Sequence, residues 1–167
     1  SWSSSASGTA KTIASSGLQA VILTDDQRFV VMDNASDPIS NQSAYDLVGP
    51  NWNNVVYGKN TQSGPTYVFS KYNGGICFAR EDNIKADNPS NSFGDTGGSW
   101  DGLAYADIEW ESSGGTTYQG IFMAIAGESS AGTPNICSVS SDGSSWTTVS
   151  TEFPGKCADD LVYANGV

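Results

Sequence analysis

The stretch Ser140–Trp146 reads Ser-Ser-Asp-Gly-Ser-Ser-Trp, and the segment that leads into it has an earlier counterpart in the chain. Ile76–Asn83 matches Ile136–Gly143 in its Ile, in the following Cys, and in an Asp followed by Asn or Gly at the same offset. Repetition over tens of residues is typical of repeat proteins, in which each copy forms one supersecondary unit. Because the copies combine short apolar runs with polar turns, the repeat predicts β-hairpin units.

A second element recurs alongside the first. Three segments carry two apolar residues, a Tyr and a small residue, and a fourth is a weaker match; they are Val55–Gly58, Leu103–Ala106, Leu161–Ala164 and Val21–Thr24. Their average spacing is near the ~40–50 residues of a four-stranded propeller blade, and insertions account for the scatter. We therefore expect each segment to start the innermost strand of a blade.

The predicted fold class is all-β, with propeller-like repeats of antiparallel meander blades, about three of them, as part of a larger ring. The predicted units are 1–17 as the end of a preceding blade, 18–51, 52–99 and 100–157 as blades, and 158–167 as the start of a following blade. Ala44–Val48 is the candidate for a degenerate third strand in the first blade. Gly- and Ser-rich insertions at 88–98 and 109–119 predict surface loops. Because a ring needs about four to eight blades, a longer chain or further copies would complete it, and we favour the longer chain.

The charge balance restricts the classes of partner. With 7 basic and 18 acidic residues the net charge is −11, which argues against nucleic acid and anionic membranes, because both bind basic surfaces. No run of about 18 apolar residues is present, so no membrane insertion is expected. The acidic balance suits a highly soluble protein in a salty or extracellular medium, or one that binds cations.

The three cysteines, Cys77, Cys137 and Cys157, are an odd number and define no disulfide framework. Cys77 and Cys137 hold equivalent repeat positions, so they should lie in different units, too far apart to pair. A bond between Cys137 and Cys157 is geometrically conceivable. We favour the alternative, in which the cysteines are small buried apolar residues.

The Tyr-containing segments, the Phe- and Val-rich strands that follow them, and Ser-x-Asp-Gly-x-x-Trp at 140–146 together resemble the Asp-box (BNR, sialidase-like) repeats of β-propellers. The resemblance covers residues 18–167 and is most specific at 136–146. It implies that the Ser and Asp side chains hold the turn between the third and fourth strands, and that the Trp packs between blades. The structural turn residues are Ser140, Asp142, Gly143 and Trp146, with Asp82 at the equivalent position of the earlier copy.

No catalytic centre is expected. Histidine is absent, which removes the usual general base and the Ser-His-Asp triad. The resemblance to sialidases would imply three arginines around a substrate carboxylate, a Tyr nucleophile and an acid, whereas the chain contains only Arg28 and Arg80. We expect both arginines to be structural and the chain not to be an enzyme.

Three carboxylates, Asp107, Glu109 and Glu111, alternate along one segment, so an extended strand would place them on one face. Converging oxygens are what Ca²⁺ binds, and calcium is the one cofactor that this pattern leaves open. The pairs at 25–26 and 159–160 are weaker candidates of the same kind. The commoner interpretation is a solvated acidic face with no cofactor.

Aromatic residues are the better candidates for binding. Trp52 and Trp100 share one repeat position, and such regular placement favours packing between blades. Trp110 and Tyr118 instead fall in the insertion at 109–119, outside the repeat pattern. We predict that Trp110 and Tyr118 stack on a sugar or anchor a partner; the alternative is a local lid on the loop itself.

The resemblance to Asp-box repeats, together with the missing catalytic residues, implies a non-enzymatic recognition, adhesion or structural module in an extracellular or virion-surface assembly of the tail, fibre or capsid-associated kind. The expected partners are other copies or other subunits of that assembly and a surface glycan. The alternative is part of a sialidase-like glycan-processing enzyme whose catalytic residues lie outside this segment. Composition also leaves open a third candidate, an intracellular assembly factor.

Overall fold

The computed structural model describes residues 9–34, 42–47, 49, 51–60, 64–72, 75–85, 90–93, 99–112, 114–127, 136–149 and 161–163. Within these ranges the chain has no helix, and its strands form three four-stranded antiparallel sheets. The expectation of an all-β chain with antiparallel sheets is confirmed.

In each sheet the strands follow one another in sequence order, as in a meander. The first sheet contains β1 (Ala10–Ser15), β2 (Ala20–Thr24), β3 (Arg28–Met32) and β4 (Ala44–Asp46). The second contains β5 (Trp52–Asn60), β6 (Gly64–Lys71), β7 (Ile76–Arg80) and β8 (Ser90–Phe93). The third contains β9 (Ser99–Glu111), β10 (Thr117–Gly127), β11 (Ile136–Ser140) and β12 (Thr147–Val149).

Two apolar clusters join the sheets, one between the first and second and the other between the second and third. The second sheet contributes to both because side chains alternate along β6: Tyr67 and Phe69 enter the first cluster and Val68 enters the second. A sheet covered on both faces has continuous apolar strands rather than alternating ones. This explains why alternation is weak in the sequence.

The prediction that Val21 starts an innermost strand is wrong. Val21 lies in β2, which pairs with β1 on one side and β3 on the other. β1 is the terminal strand of the sheet, and it precedes the boundary predicted at residue 18. β1 has the sequence Ala-Lys-Thr-Ile-Ala-Ser, and only Ala14 is buried. The strand lacks the apolar pair followed by Tyr that defines the repeated segments. The candidate strand at 44–48 exists as β4, but it is the fourth strand of the sheet rather than the third.

The insertions were predicted as loops, and this is wrong for most of 109–119. β9 and β10 form a ladder as far as the pair Glu111 and Thr117, beyond the Phe122–Ala126 stretch that pairs with β11. The Gly and Ser residues form only the tip of this extended hairpin. In the other insertion, Ser90–Phe93 is strand β8, and the rest lies outside the described residues.

Leu161 was also predicted to start an innermost strand. Residues 161–163 are described, but they belong to none of the three sheets. They lie beside the third sheet, where a Cβ placed on Gly102 would be 2.9 Å from the Cβ of Leu161.

Candidate functional site

The turn after β11 is held by its own side chains. The Oγ of Ser140 accepts the backbone N–H groups of Asp142 and Gly143 at 3.2 and 2.8 Å. The Oδ1 of Asp142 accepts those of Ser144 and Ser145 at 2.7 and 2.8 Å. Burial acts to raise the pKa of the Asp142 carboxyl, but hydrogen bonds from Ser144, Ser145 and Ser140 outweigh it, so the pKa is lowered. The prediction that Asp142 accepts nearby amides is confirmed.

This turn also packs against the second sheet. Gly143 has a φ of +75°, and a Cβ added to it would meet Val68 Cγ2 at 2.8 Å. Trp146 donates from Nε1 to the carbonyl of Gly143 at 3.1 Å and packs against the second apolar cluster. Trp146 is half-buried rather than fully buried, since it follows the turn at the edge of the sheet. The bonds within the turn and its packing against the second sheet are those of a structural element.

Asp82 occupies the equivalent position after β7 but is exposed. Within this turn the N–H of Asn83 donates to the carbonyl of Arg80 at 3.0 Å. The side chains of Glu81 and Lys85 bond to groups outside the turn, Glu81 accepting from the hydroxyl of Tyr57 at 3.3 Å and Lys85 donating to Asp33. The neighbouring Glu81 N–H donates to the carbonyl of Pro65 at 3.0 Å.

Trp110 and Tyr118 face each other across the extended β9–β10 hairpin. Their rings are stacked, with centroids 4.9 Å apart and planes inclined by 28°. The indole Nε1 of Trp110 donates to the carbonyl of Gly120 at 3.0 Å, which fixes the ring. Both side chains are half-buried, so part of the stacked surface remains accessible. The pair is a preformed aromatic platform on the part of the hairpin that β11 does not cover.

The three carboxylates predicted as a metal site lie on the same hairpin. Asp107, Glu109 and Glu111 are all exposed, and Glu109 and Glu111 alternate with Trp110 and so face away from it. Gln119, opposite Glu109, donates to Oδ1 of Asp107 at 2.8 Å. In the part of the chain that the structure describes, no group of three or more acidic or Cys side chains is placed to hold a metal ion.

Both arginines contact structural partners. The guanidinium of Arg28 is paired with the carboxylate of Asp26, and it lowers the pKa of that carboxyl. Arg80 donates to the Oγ1 of Thr66 and, at 3.1 Å, to the carbonyl of Asp142, so it connects the second sheet to the turn of the third. The arginines lie on strands of different sheets, β3 and β7, rather than around one pocket.

The regularly placed aromatic residues pack between the sheets, as predicted. Trp52 and Trp100 are 1% and 0% exposed and belong to the first and second clusters. Cys77 and Cys137 are buried free thiols, and burial raises the pKa of both. Cys157 lies outside the described residues, as do the carboxylates at 159–160.

An open cavity of about 270 Å³ lies where β1, β5, β9 and residues 161–163 come together. Four tripeptides line it, three of them from the repeated apolar and Tyr segments; they are Ile13–Ser15, Val55–Tyr57, Leu103–Tyr105 and Leu161–Tyr163. The sequence pattern found the last three but assigned the fourth copy to Val21–Thr24. The tripeptide Ile-Ala-Ser of β1 begins with an aliphatic residue but has no Tyr. Its equivalence to the other three tripeptides is therefore visible only from its position in the structure.

No protein-family model matches this chain, and no curated protein matches it. The described residues contain no helix with the length and hydropathy required to span a bilayer.

Proposed function

We propose that this chain is a non-enzymatic recognition or structural module of propeller type, whose three sheets are consecutive blades of a larger ring. The arrangement of β1, β5 and β9 supports the ring. Each is the terminal strand of its sheet, and all three border one cavity together with residues 161–163. In a propeller, the innermost strands surround a central channel in the same way. The Asp-box-like turn at 140–146 supports the same assignment.

The stacked pair of Trp110 and Tyr118 is the observation that carries the recognition role. The sheets supply a frame with two apolar clusters, and the hairpin extends from this frame with its aromatic side chains already ordered by stacking and by the Gly120 contact. Ordered aromatic side chains lose little conformational entropy on binding and are frequent at recognition surfaces. We therefore assign the partner surface, for a glycan or another subunit, to this hairpin.

The contacts of the two arginines support a role without catalysis. Arg28 forms an ion pair with Asp26, and Arg80 donates hydrogen bonds to Thr66 and to the turn of the third sheet. We therefore do not assign either arginine to the binding of a substrate carboxylate. The net charge of −11 fits an extracellular or virion-surface assembly, of the tail, fibre or capsid-associated kind. Other copies or other subunits of that assembly would then be its neighbours.

A glycan array probed with the purified chain tests this proposal. Trp110→Ala and Tyr118→Ala should each weaken the binding observed at least tenfold, equal to about 1.4 kcal/mol. Tyr72→Ala is the matched control, because Tyr72 is an aromatic residue directly after β6 that is 49% exposed, and its removal should leave binding unchanged.

A parallel assay with fluorogenic sialosides and other glycosides separates the two functional classes. We expect no turnover. Turnover that is abolished by Arg28→Lys or Arg80→Lys would overturn the proposal in favour of a glycan-processing enzyme. Glycan binding that is equally strong in the Trp110, Tyr118 and Tyr72 variants would remove the hairpin as the recognition surface.

A further inference from the structure

Charge is distributed unevenly along the chain. Residues 86–155 contain 9 acidic and no basic residues, a net charge of −9, whereas the remaining residues contain 9 acidic and 7 basic residues, a net charge of −2. The third sheet lies within this stretch, from Ser99 to Val149, so it has no basic residue of its own. The acidity of the protein is therefore mainly a property of the third sheet and the segments around it.

The extended β9–β10 hairpin places part of this charge beside the stacked aromatic pair. Glu109 and Glu111 flank Trp110 directly in β9, Asp107 lies two positions before Glu109, and all three carboxylates are exposed. Adjacent Cα atoms are about 3.8 Å apart, and the Debye length at physiological ionic strength is about 8 Å. The negative potential of the flanking carboxylates therefore reaches a charge held at the Trp110 ring, although both side chains face away from it.

The second sheet brings one basic residue near the base of the hairpin. Lys59 follows Gly58, and a Cβ placed on Gly58 would be 2.4 Å from the ring of Tyr105, which pairs with Phe122 where the hairpin leaves the sheet. One ammonium group against three carboxylates leaves the hairpin negative. The other basic residues that the structure describes contact different groups: Lys11 the carbonyl of Trp52, Arg28 Asp26, Lys71 the ring of Trp52, Arg80 Thr66 and the carbonyl of Asp142, and Lys85 Asp33.

An aromatic surface in a negative potential favours a cationic partner. The ammonium of Lys and the guanidinium of Arg are attracted to the face of a Trp or Tyr ring when they lie within about 6 Å of its centroid. The planar guanidinium can also stack on such a ring. Anionic ligands, including sialylated and sulfated sugars, are repelled by the same carboxylates. The half-buried Trp110 and Tyr118 rings therefore select for positive charge.

The spread of the carboxylates favours a partner with several cations over a single cationic group. The acidic residues of β9 extend from Asp101 to Glu111, which on a strand is a distance of about 30 Å. Complementary charge over such a length steers and selects protein partners, and aromatic residues are frequent anchors in protein interfaces. A second copy of this chain is a poor match, because it is acidic as well.

We propose that the β9–β10 hairpin docks a basic segment of a partner protein, with a Lys or Arg side chain against the stacked pair of Trp110 and Tyr118. This inference rests on the proposed recognition role of the hairpin and narrows its partner to one chemical class. The carboxylates at 107, 109 and 111 set the sign of charge that the surface accepts, and the aromatic pair provides the contact.

Fluorescence anisotropy on the full chain tests the proposal with a labelled peptide in which Lys and Arg alternate with Gly and Ser. Its counterparts have Gln or Glu at every basic position. The basic peptide should bind at least tenfold more tightly than the Gln peptide, and the Glu peptide should not bind. Trp110→Ala should weaken the basic peptide at least tenfold, and the double variant Glu109→Gln, Glu111→Gln at least fivefold. The matched control is Asp46→Asn with Asp82→Asn, which removes two exposed carboxylates outside the third sheet and should change the affinity less than twofold.

The Glu variant keeps the test decisive if Trp110→Ala fails to fold, since both Glu side chains are exposed. Equal weakening in the Glu variant and the Asp control would show that only the total charge matters and would overturn the proposal, as would full binding of the basic peptide by Trp110→Ala. A neutral glycan or a deacetylated chitooligosaccharide that binds through Trp110 while the basic peptide does not would also overturn it, but would leave the recognition role of the hairpin intact. If no peptide and no glycan binds through Trp110, both the basic partner and the recognition role are wrong.

Discussion

The turns after β7 and β11 occupy the same repeat position but are held in different ways. After β11, the hydroxyl of Ser140 and the carboxylate of Asp142 accept four backbone N–H groups between them. After β7, Arg80 stands in place of Ser140, the N–H of Asn83 donates to the Arg80 carbonyl, and Asp82 is exposed. The two segments are alike in sequence spacing, yet only one contains the side-chain lock.

The difference between the two turns shows that an Asp at this position is not sufficient to form the side-chain hydrogen bonds that hold the turn after β11. A Ser hydroxyl can accept backbone N–H groups, whereas a guanidinium has only donors. Arg80 therefore bonds outward, to the carbonyl of Asp142 in the third sheet, and stabilises the later turn instead of its own. The earlier turn is anchored by packing, because Ile84 is 1% exposed and belongs to the first apolar cluster.

The largest difference in stability between the two turns is expected when the acidic residue of each turn is replaced by Ala. Asp142→Ala should lower the free energy of unfolding by about 3 kcal/mol, because hydrogen bonds to a carboxylate contribute roughly 1.5–3 kcal/mol each and are not additive. Asp82→Ala should change it by less than about 0.5 kcal/mol, as is usual for an exposed residue. Urea denaturation of both variants measures the contrast, and equal effects would show that the two turns are held alike.

The next effect concerns the close approach of the turn to the second sheet. Gly143→Ala should cost about 2 kcal/mol, from the positive φ and from the approach of its Cβ to Val68. Gly17→Ala is the matched control, because Gly17 has a φ of +87° but no atom within 4 Å of its Cβ position, and it should cost about 1 kcal/mol. Thermal unfolding at matched conditions provides both values. If Gly17→Ala costs as much as Gly143→Ala, packing against Val68 contributes nothing.

The hydrogen bond from Arg80 in the second sheet to the turn of the third sheet should contribute less to the free energy of unfolding. Arg80→Met retains much of the side-chain length but removes the donors to Thr66 and to the Asp142 carbonyl, so a loss of about 1–1.5 kcal/mol is expected. In a double-mutant cycle with Asp142→Ala, the two losses should not add, because Asp142→Ala disorders the carbonyl that Arg80 contacts. Strict additivity would mean that Arg80 acts only within its own sheet.

The smallest expected effect is on the pH dependence of the free energy of unfolding. Because the pKa of Asp142 is lowered in the folded chain, its contribution is fully present above the unfolded-state value of about 3.9. It is lost as the pH falls through the lower folded-state pKa, since the unfolded chain then binds the proton more readily. Asp142→Asn should therefore show a shallower loss of stability than the parent chain below about pH 4. Parallel curves for the two proteins between neutral and acidic pH would contradict this.

Some elements could be predicted from the sequence because their causes are local. The turn at 140–146 closes on its own Ser and Asp, so a seven-residue pattern was sufficient to predict its hydrogen bonds. β1 was missed because a terminal, mostly exposed strand has no apolar signature. The hairpin at 109–119 was mistaken for a loop because the Gly and Ser residues of its tip obscured the alternation on either side.

The sequence by itself determined the all-β class, the antiparallel hairpins, the acidic charge and the lock around Asp142, since composition, alternation and short-range hydrogen bonding are properties of neighbouring residues. Tertiary structure alone decided that Trp110 stacks on Tyr118, that Arg80 serves a turn in another sheet, and that Ile13–Ser15 joins three repeated tripeptides around one cavity. Trp110 and Tyr118 lie close together in the chain, and the register of one hairpin brings them into contact. Arg80 and Asp142, and likewise the four tripeptides, are far apart in the chain and depend on how the sheets pack, which no local pattern specifies.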